Sequence, residues 1–164
     1  MKAKITAAVA LTCGILVGLS GCDLFAPQET MNIVEASDGV SGTTGEIFVG
    51  NAVIITTTGK IGNLVVTLVN RDHLTHPVEI QHGVQQRQTV NLTVGPAASK
   101  QLGTPGNTLV FITNLNAMPG SLAPVYFDSG NNTGVLLNVP VLTGAQPPYS
   151  DLTPEKLAAG GIRG

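Results

Sequence analysis

Three histidines, His73, His76 and His82, fall within ten residues of one another and are the first side chains here whose type and spacing suggest chemistry. Imidazole is the commonest protein ligand for copper and zinc. Met118, beside Pro119 and Gly120, would add a soft sulfur to such a site, although a lone Met in a Pro-Gly loop more often fills a gap. The spacing favours a scatter of surface histidines: Pro77 interrupts the run, and no carboxylate or thiolate completes a shell. Hydrolytic chemistry finds even less support. No Ser stands in a G-x-S-x-G elbow, the acids Glu46, Asp72, Glu79 and Asp128 are dispersed without pairing, and no glycine-rich phosphate loop opens a helix. No catalytic residue, cofactor or metal ligand is assigned from the sequence.

The two cysteines carry a different message. Lys2 and Lys4 precede an uncharged run over residues 5–19, which ends in Gly18, Ser20 and Gly21 before Cys22. This is the pattern of an export signal, and the run is short of the roughly 20 residues that a membrane-crossing helix requires. Leu19-Ser20-Gly21-Cys22 resembles the lipobox of bacterial lipoproteins. That resemblance implies alkylation of the Cys22 thiol with diacylglycerol and a mature chain starting there; an ordinary secretory signal with an incidental Cys is the alternative. Cys13 lies inside the segment to be removed, so the exported domain would hold no thiol, no disulfide and no thiolate ligand. Two or more acyl chains, at about 0.8 kcal/mol per buried CH₂, would anchor it durably to the membrane.

Composition limits the partners. Ten Asp and Glu oppose eight Lys and Arg, and removal of Lys2 and Lys4 would leave a mildly acidic chain, unsuited to gripping nucleic acid or an anionic leaflet by charge. With 43% hydrophobic and 11% charged residues the chain is too apolar for a disordered one, and its 164 residues suit one ordinary domain.

Twenty Gly, ten Pro and no Trp suggest many turns between short aliphatic strands. Residues 1–21 read as the lipoprotein signal peptide, 22–44 as a lipidated tether, 45–142 as a β-sandwich domain and 143–164 as a flexible C-terminal tail. Strands are expected over residues 47–56, 63–70, 77–81, 86–94, 108–114 and 134–142, with shorter ones at 99–102 and 125–127. Leu64, Val66 and Leu68 alternate with Val65, Thr67 and Val69, so that strand should be central, with both faces apolar. An extended edge segment over 31–36, and a helical turn or two over 152–159 started by Thr153 and Pro154, complete the reading. The fold class is all-β, an antiparallel sandwich of about seven strands.

The stretches 64–70, 90–98 with Val94-Gly95-Pro96-Ala97, and 107–142 ending in Asn138-Val139-Pro140-Val141-Leu142 resemble the PCu(A)C copper-chaperone family. The resemblance implies a cupredoxin-like or Ig-like β-sandwich. It does not extend to the family's copper motif, since the strand that should carry His-x-Met reads Thr108-Leu109-Val110. Together with Asp38-Gly39-Val40 and residues 46–53, the chain is similar to actinobacterial lipoproteins of the LpqE type, which share that fold and commonly lack the motif. That similarity implies an accessory subunit on the extracytoplasmic face of the cell membrane, with the cytochrome bcc-aa3 respiratory supercomplex as one partner. The leading expectation is therefore a non-enzymatic, lipid-anchored binding protein that takes a protein partner, not nucleic acid. The rival is a copper metallochaperone with an atypical site drawn from His73, His76, His82 or Met118.

Overall fold

The computed structural model describes residues 37–83, 87–130 and 133–160. Cys22, the proposed signal peptide, most of the tether and the 31–36 segment lie outside the described residues. The strands are β1 (Val40–Thr44), β2 (Ile47–Thr56), β3 (Ile61–Asn70), β4 (His76–His82), β5 (Gln88–Val94), β6 (Ser99–Leu102), β7 (Phe111–Thr113), β8 (Leu122–Asp128) and β9 (Val135–Thr143). One short helix, α1 (Pro154–Gly160), follows. The strands follow the order β5-β4-β8-β9-β2-β3-β6, with β1 added on β2 and β7 on β3. The result is an all-β sandwich, wrapped so far that it is nearly barrel-shaped.

The aliphatic alternation builds one core between the layers. Ile47, Val49, Leu64, Val66 and Leu68 from β2 and β3 meet Val78, Ile80, Val125, Phe127 and Val139 from β4, β8 and β9. Inward positions on β2 are odd-numbered up to Val49 and even-numbered from Ala52 onward. The cause is a bulge between Gly50 and Val53, where Asn51 takes a φ of 50°: one extra residue reverses which side chains face inward. Beyond the bulge Val53 and Ile55 point to the opposite face and, with Val65, form a second apolar cluster. The expectation that the 63–70 strand is apolar on both faces is met for this reason.

Several details differ from the sequence reading. Strand β1 lies within the span assigned to the tether, because Gly45, at a φ of 53°, lets a two-residue turn fold residues 40–44 back onto β2. The sheet is mixed instead of purely antiparallel: β9 pairs antiparallel with β8 through Pro140 and then runs parallel to β2, Ile54 opposite Val141. The strand expected over 108–114 shrinks to residues 111–113: Thr108 makes only an isolated bridge to Leu102, and the strand stops at Thr113 because Asn114 adopts left-handed backbone at a φ of 56°. The C-terminal segment does not stand clear of the domain. Tyr149 and Leu152 pack on Val53, Ile55 and Val65, Pro154 and Leu157 of α1 are buried, and Asn63 Nδ2 donates to the Leu152 carbonyl at 2.9 Å. The apolar outer face of β2 and β3 needs a cover, and this segment supplies it.

Candidate functional site

Strand β4 separates the histidines. His76 opens it and His82 ends it, and six residues at about 3.3 Å each hold the two roughly 20 Å apart. They cannot share one ion. Among the described residues, no three His, Cys, Asp or Glu side chains gather into a group able to hold a metal.

His76, at the start of β4, faces the exposed loop 71–75, which one buried amide shapes. Asn70, 1% exposed, donates through Nδ2 to the carbonyls of Leu74 (2.6 Å), Gly95 (2.8 Å) and Val94 (3.2 Å). Its Oδ1 accepts from the Asp72 N–H at 2.9 Å. Asp72 Oδ1 accepts in turn from the His73 N–H at 2.6 Å, while Oδ2 lies 2.8 Å from His76 Nε2. The hydrogen bond from His76, then that from the His73 backbone, hold the Asp72 carboxyl below the usual carboxylate range against a weaker opposing effect of burial. A carboxylate so placed orients an imidazole, and His76 is thereby tied to its own loop. His73 is exposed.

His82 departs from the expected surface scatter. It is only 3% exposed, because it continues the inward alternation of Val78 and Ile80. Its Nδ1 is buried with no hydrogen-bond partner among the described residues, and burial lowers its pKa from the ordinary histidine value. His82 lines a cavity of about 90 Å³ whose other walls include Ile112, Leu115, Leu122, Ala123 and Val125. It also lines a wider surface trough of about 570 Å³ with Gln81, Arg87, Pro124, Tyr126 and Leu136. Both share Gly83 and Pro124 with it.

Met118 is 64% exposed, so it does not fill the core. Its sulfur lies over Gly59, where an added Cβ would come within 2.8 Å of it. Its neighbour Ala117 lines the His82 cavity.

The sequence reading overlooked the outer face of β8 and β9. Leu122 and Leu136 are 62% and 60% exposed, while Ala123, Val125, Phe127, Leu137 and Val139 point inward. Cross-strand pairing sets Tyr126 opposite Leu136 and Leu122 opposite Pro140. The signal was available: residues 122–127 are apolar at both parities, as only a two-sided strand would be. One outer face of the sandwich is thus covered by its own C-terminal segment, and the other presents leucines to solvent.

A scan against known protein families and a search of curated proteins found no match to this chain. Among the described residues, no helix is long and apolar enough to cross a membrane.

Proposed function

We propose that this chain is a lipid-anchored, extracytoplasmic β-sandwich that acts as a non-enzymatic binding or accessory protein for a partner at the membrane. The observation that carries the reading is the uncovered apolar strip of β8 and β9, with Leu122 and Leu136 each more than half exposed. Isolated exposed leucines are ordinary, but here Leu122 pairs with Pro140 and Leu136 with Tyr126 on one face, and an uncovered apolar face of this kind is the form a protein contact takes. Cys22, behind its charged flank and uncharged run, supplies the membrane attachment in this reading. An accessory place beside a respiratory supercomplex is the instance suggested by the likeness to LpqE-type lipoproteins.

Two measurements test it. Mass spectrometry of the native protein should find diacylglycerol on Cys22, and Cys22→Ser should move the chain from the membrane to the soluble fraction; an unmodified, released wild-type chain overturns the anchor. A photoreactive residue at position 122 or 136 should crosslink to one defined membrane protein, and Leu136→Asp should abolish the adduct made from position 122. Crosslinks insensitive to that charge would refute the docking face.

A further inference from the structure

We propose that the free edge of β5 pairs with β5 of a second copy of this chain, antiparallel about a two-fold axis at Asn91, so that two sandwiches share one continuous sheet. The inference concerns a different surface from the β8 and β9 face, and it holds whether or not the chain is anchored.

Strand β5 ends the strand order, and among the described residues only β4 pairs with it. Its register with β4 runs unbroken from Gln88 opposite His82 to Val94 opposite His76, so the edge is straight. Thr93 stands opposite Pro77, which has no N–H to give, and the Thr93 carbonyl accepts instead from Lys100 Nζ at 3.2 Å. The main-chain groups of Thr93 therefore point away from β4, and by alternation so do those of Asn91 and Thr89. The inner side of the edge is open as well. Val90 and Leu92 are only partly buried, whereas Ile80 and Val78, their neighbours on β4, are 0% and 1% exposed.

Sheet edges are ordinarily guarded by charge, brevity, proline or a bulge. Strand β6 has four residues with Lys100 among them, β7 has three, and β1 carries a register shift between Val40 and Gly42. Residues 88–94, Gln-Thr-Val-Asn-Leu-Thr-Val, hold no charge, glycine or proline. Lys100 engages one lone pair of the Thr93 carbonyl and leaves the second for a strand. In the two-fold register Asn91 faces the partner's Asn91, Thr89 the partner's Thr93, and Val90 the partner's Leu92. That arrangement gives about six main-chain hydrogen bonds, opposes no like charges and covers the half-exposed Val90 and Leu92. Seven residues a side fall short of the roughly 1,200 Å² of a stable complex, so the pair is weak and is best read by covalent trapping.

The test follows disulfides between copies of the full, detergent-solubilised chain under mild oxidation. Trypsin releases residues 88–100 as one peptide without a native cysteine, so mass spectrometry identifies a link formed there. Paired residues at position 91 have Cα atoms about 5.5 Å apart, within disulfide reach, whereas two copies of position 89 or of 93 stand roughly 13 Å apart, beyond it. Asn91→Cys should link to itself. Thr89→Cys and Thr93→Cys should not, yet a mixture of the two should link to each other. Asn91→Pro, which removes an N–H that the fold leaves unused, should lower that mixed link at least tenfold when carried by both copies, with the β-sheet circular dichroism retained. Asn91→Asp, an exposed change that opposes two carboxylates at the axis, gives the same readout should the proline variant fail to fold. Equal linkage at all three positions, no link from position 91, or a mixed link untouched by a folded variant would overturn the proposal. So would oxidation in intact membranes that joins position 91 to a different protein.

Discussion

Two buried asparagines of β3 should respond very differently to the same near-isosteric change, Asn→Leu. Asn70 has every polar atom engaged: Nδ2 faces three carbonyls and Oδ1 holds the Asp72 N–H. At roughly 1 kcal/mol net per bond, its replacement removes about 3–4 kcal/mol. Asn63, 0% exposed, donates to the carbonyls of Gly103 at 2.7 Å and Leu152 at 2.9 Å, but its Oδ1 is buried without a partner among the described residues. Removing it gives up about 2 kcal/mol of bonding, against which relief of the orphaned oxygen returns roughly 1–3 kcal/mol, an offset that Asn70→Leu lacks, so Asn63→Leu should be the milder change. The order is the sharp part: Asn70→Leu should be the worse by about 3 kcal/mol, a large share of the 5–15 kcal/mol that usually holds a domain together. Urea unfolding of the full chain and both variants, analysed at equal slopes, measures it. Asn63→Leu as damaging as Asn70→Leu would refute the bond-by-bond accounting.

Acid should weaken the fold first through His82: burial lowers its folded pKa, so below about pH 6.5 the unfolded chain takes a proton that the folded chain refuses. Stability should then fall with pH by at most about 1.4 kcal/mol per unit until the folded pKa is passed, and His82→Phe should flatten that part of the unfolding-versus-pH curve. Truncation after Gly144 would uncover Val53, Ile55 and Val65, each contributing about 1.5–3 kcal/mol by burial, so thermal melts should show a severely destabilised or unfolded domain. The Tyr149 hydroxyl donates to Asp38 Oδ2 at 2.7 Å, and this bond, with burial and the carboxylate's charge, pushes its pKa up to about 12. Its stabilisation is present below pH 10 and lost as pH rises toward 12; Asp38→Asn should return the ultraviolet phenolate titration toward 10.

The strands were legible wherever burial on a face imposed alternation. Residues 47–56 and 63–70 announce themselves because both carry aliphatics on two faces, one for the core and one for the C-terminal cover. Strand β1 was hidden because Val-Ser-Gly-Thr-Thr has almost no apolar signal, and it pairs only because Gly45 turns it back on β2. The C-terminal segment was misjudged for a related reason: Tyr149 and Leu152 look isolated in a Pro-rich stretch, and their partners lie some ninety residues earlier. At the candidate site, His82 could have been recognised as inward-facing from the parity it shares with Val78 and Ile80. The cavity beside it could not, since Ile112, Ala117 and Leu122 converge on it from segments distant along the chain. Nor could the Asp72 to His76 contact, which depends on Asn70 bending the loop from below.

The passage of β9 from β8 to β2 has a kinetic corollary. A chain emerging from its N-terminus presents β2 and β3 early, yet the flank of β2 beside Ile54 stays open until Val141 arrives. Until then that hydrogen-bonding edge is a template for any extended segment nearby. Ribosome pauses late in the sequence would prolong the vulnerable interval, and a holdase shielding residues 54–56 would shorten the list of wrong pairings available to the nascent polypeptide.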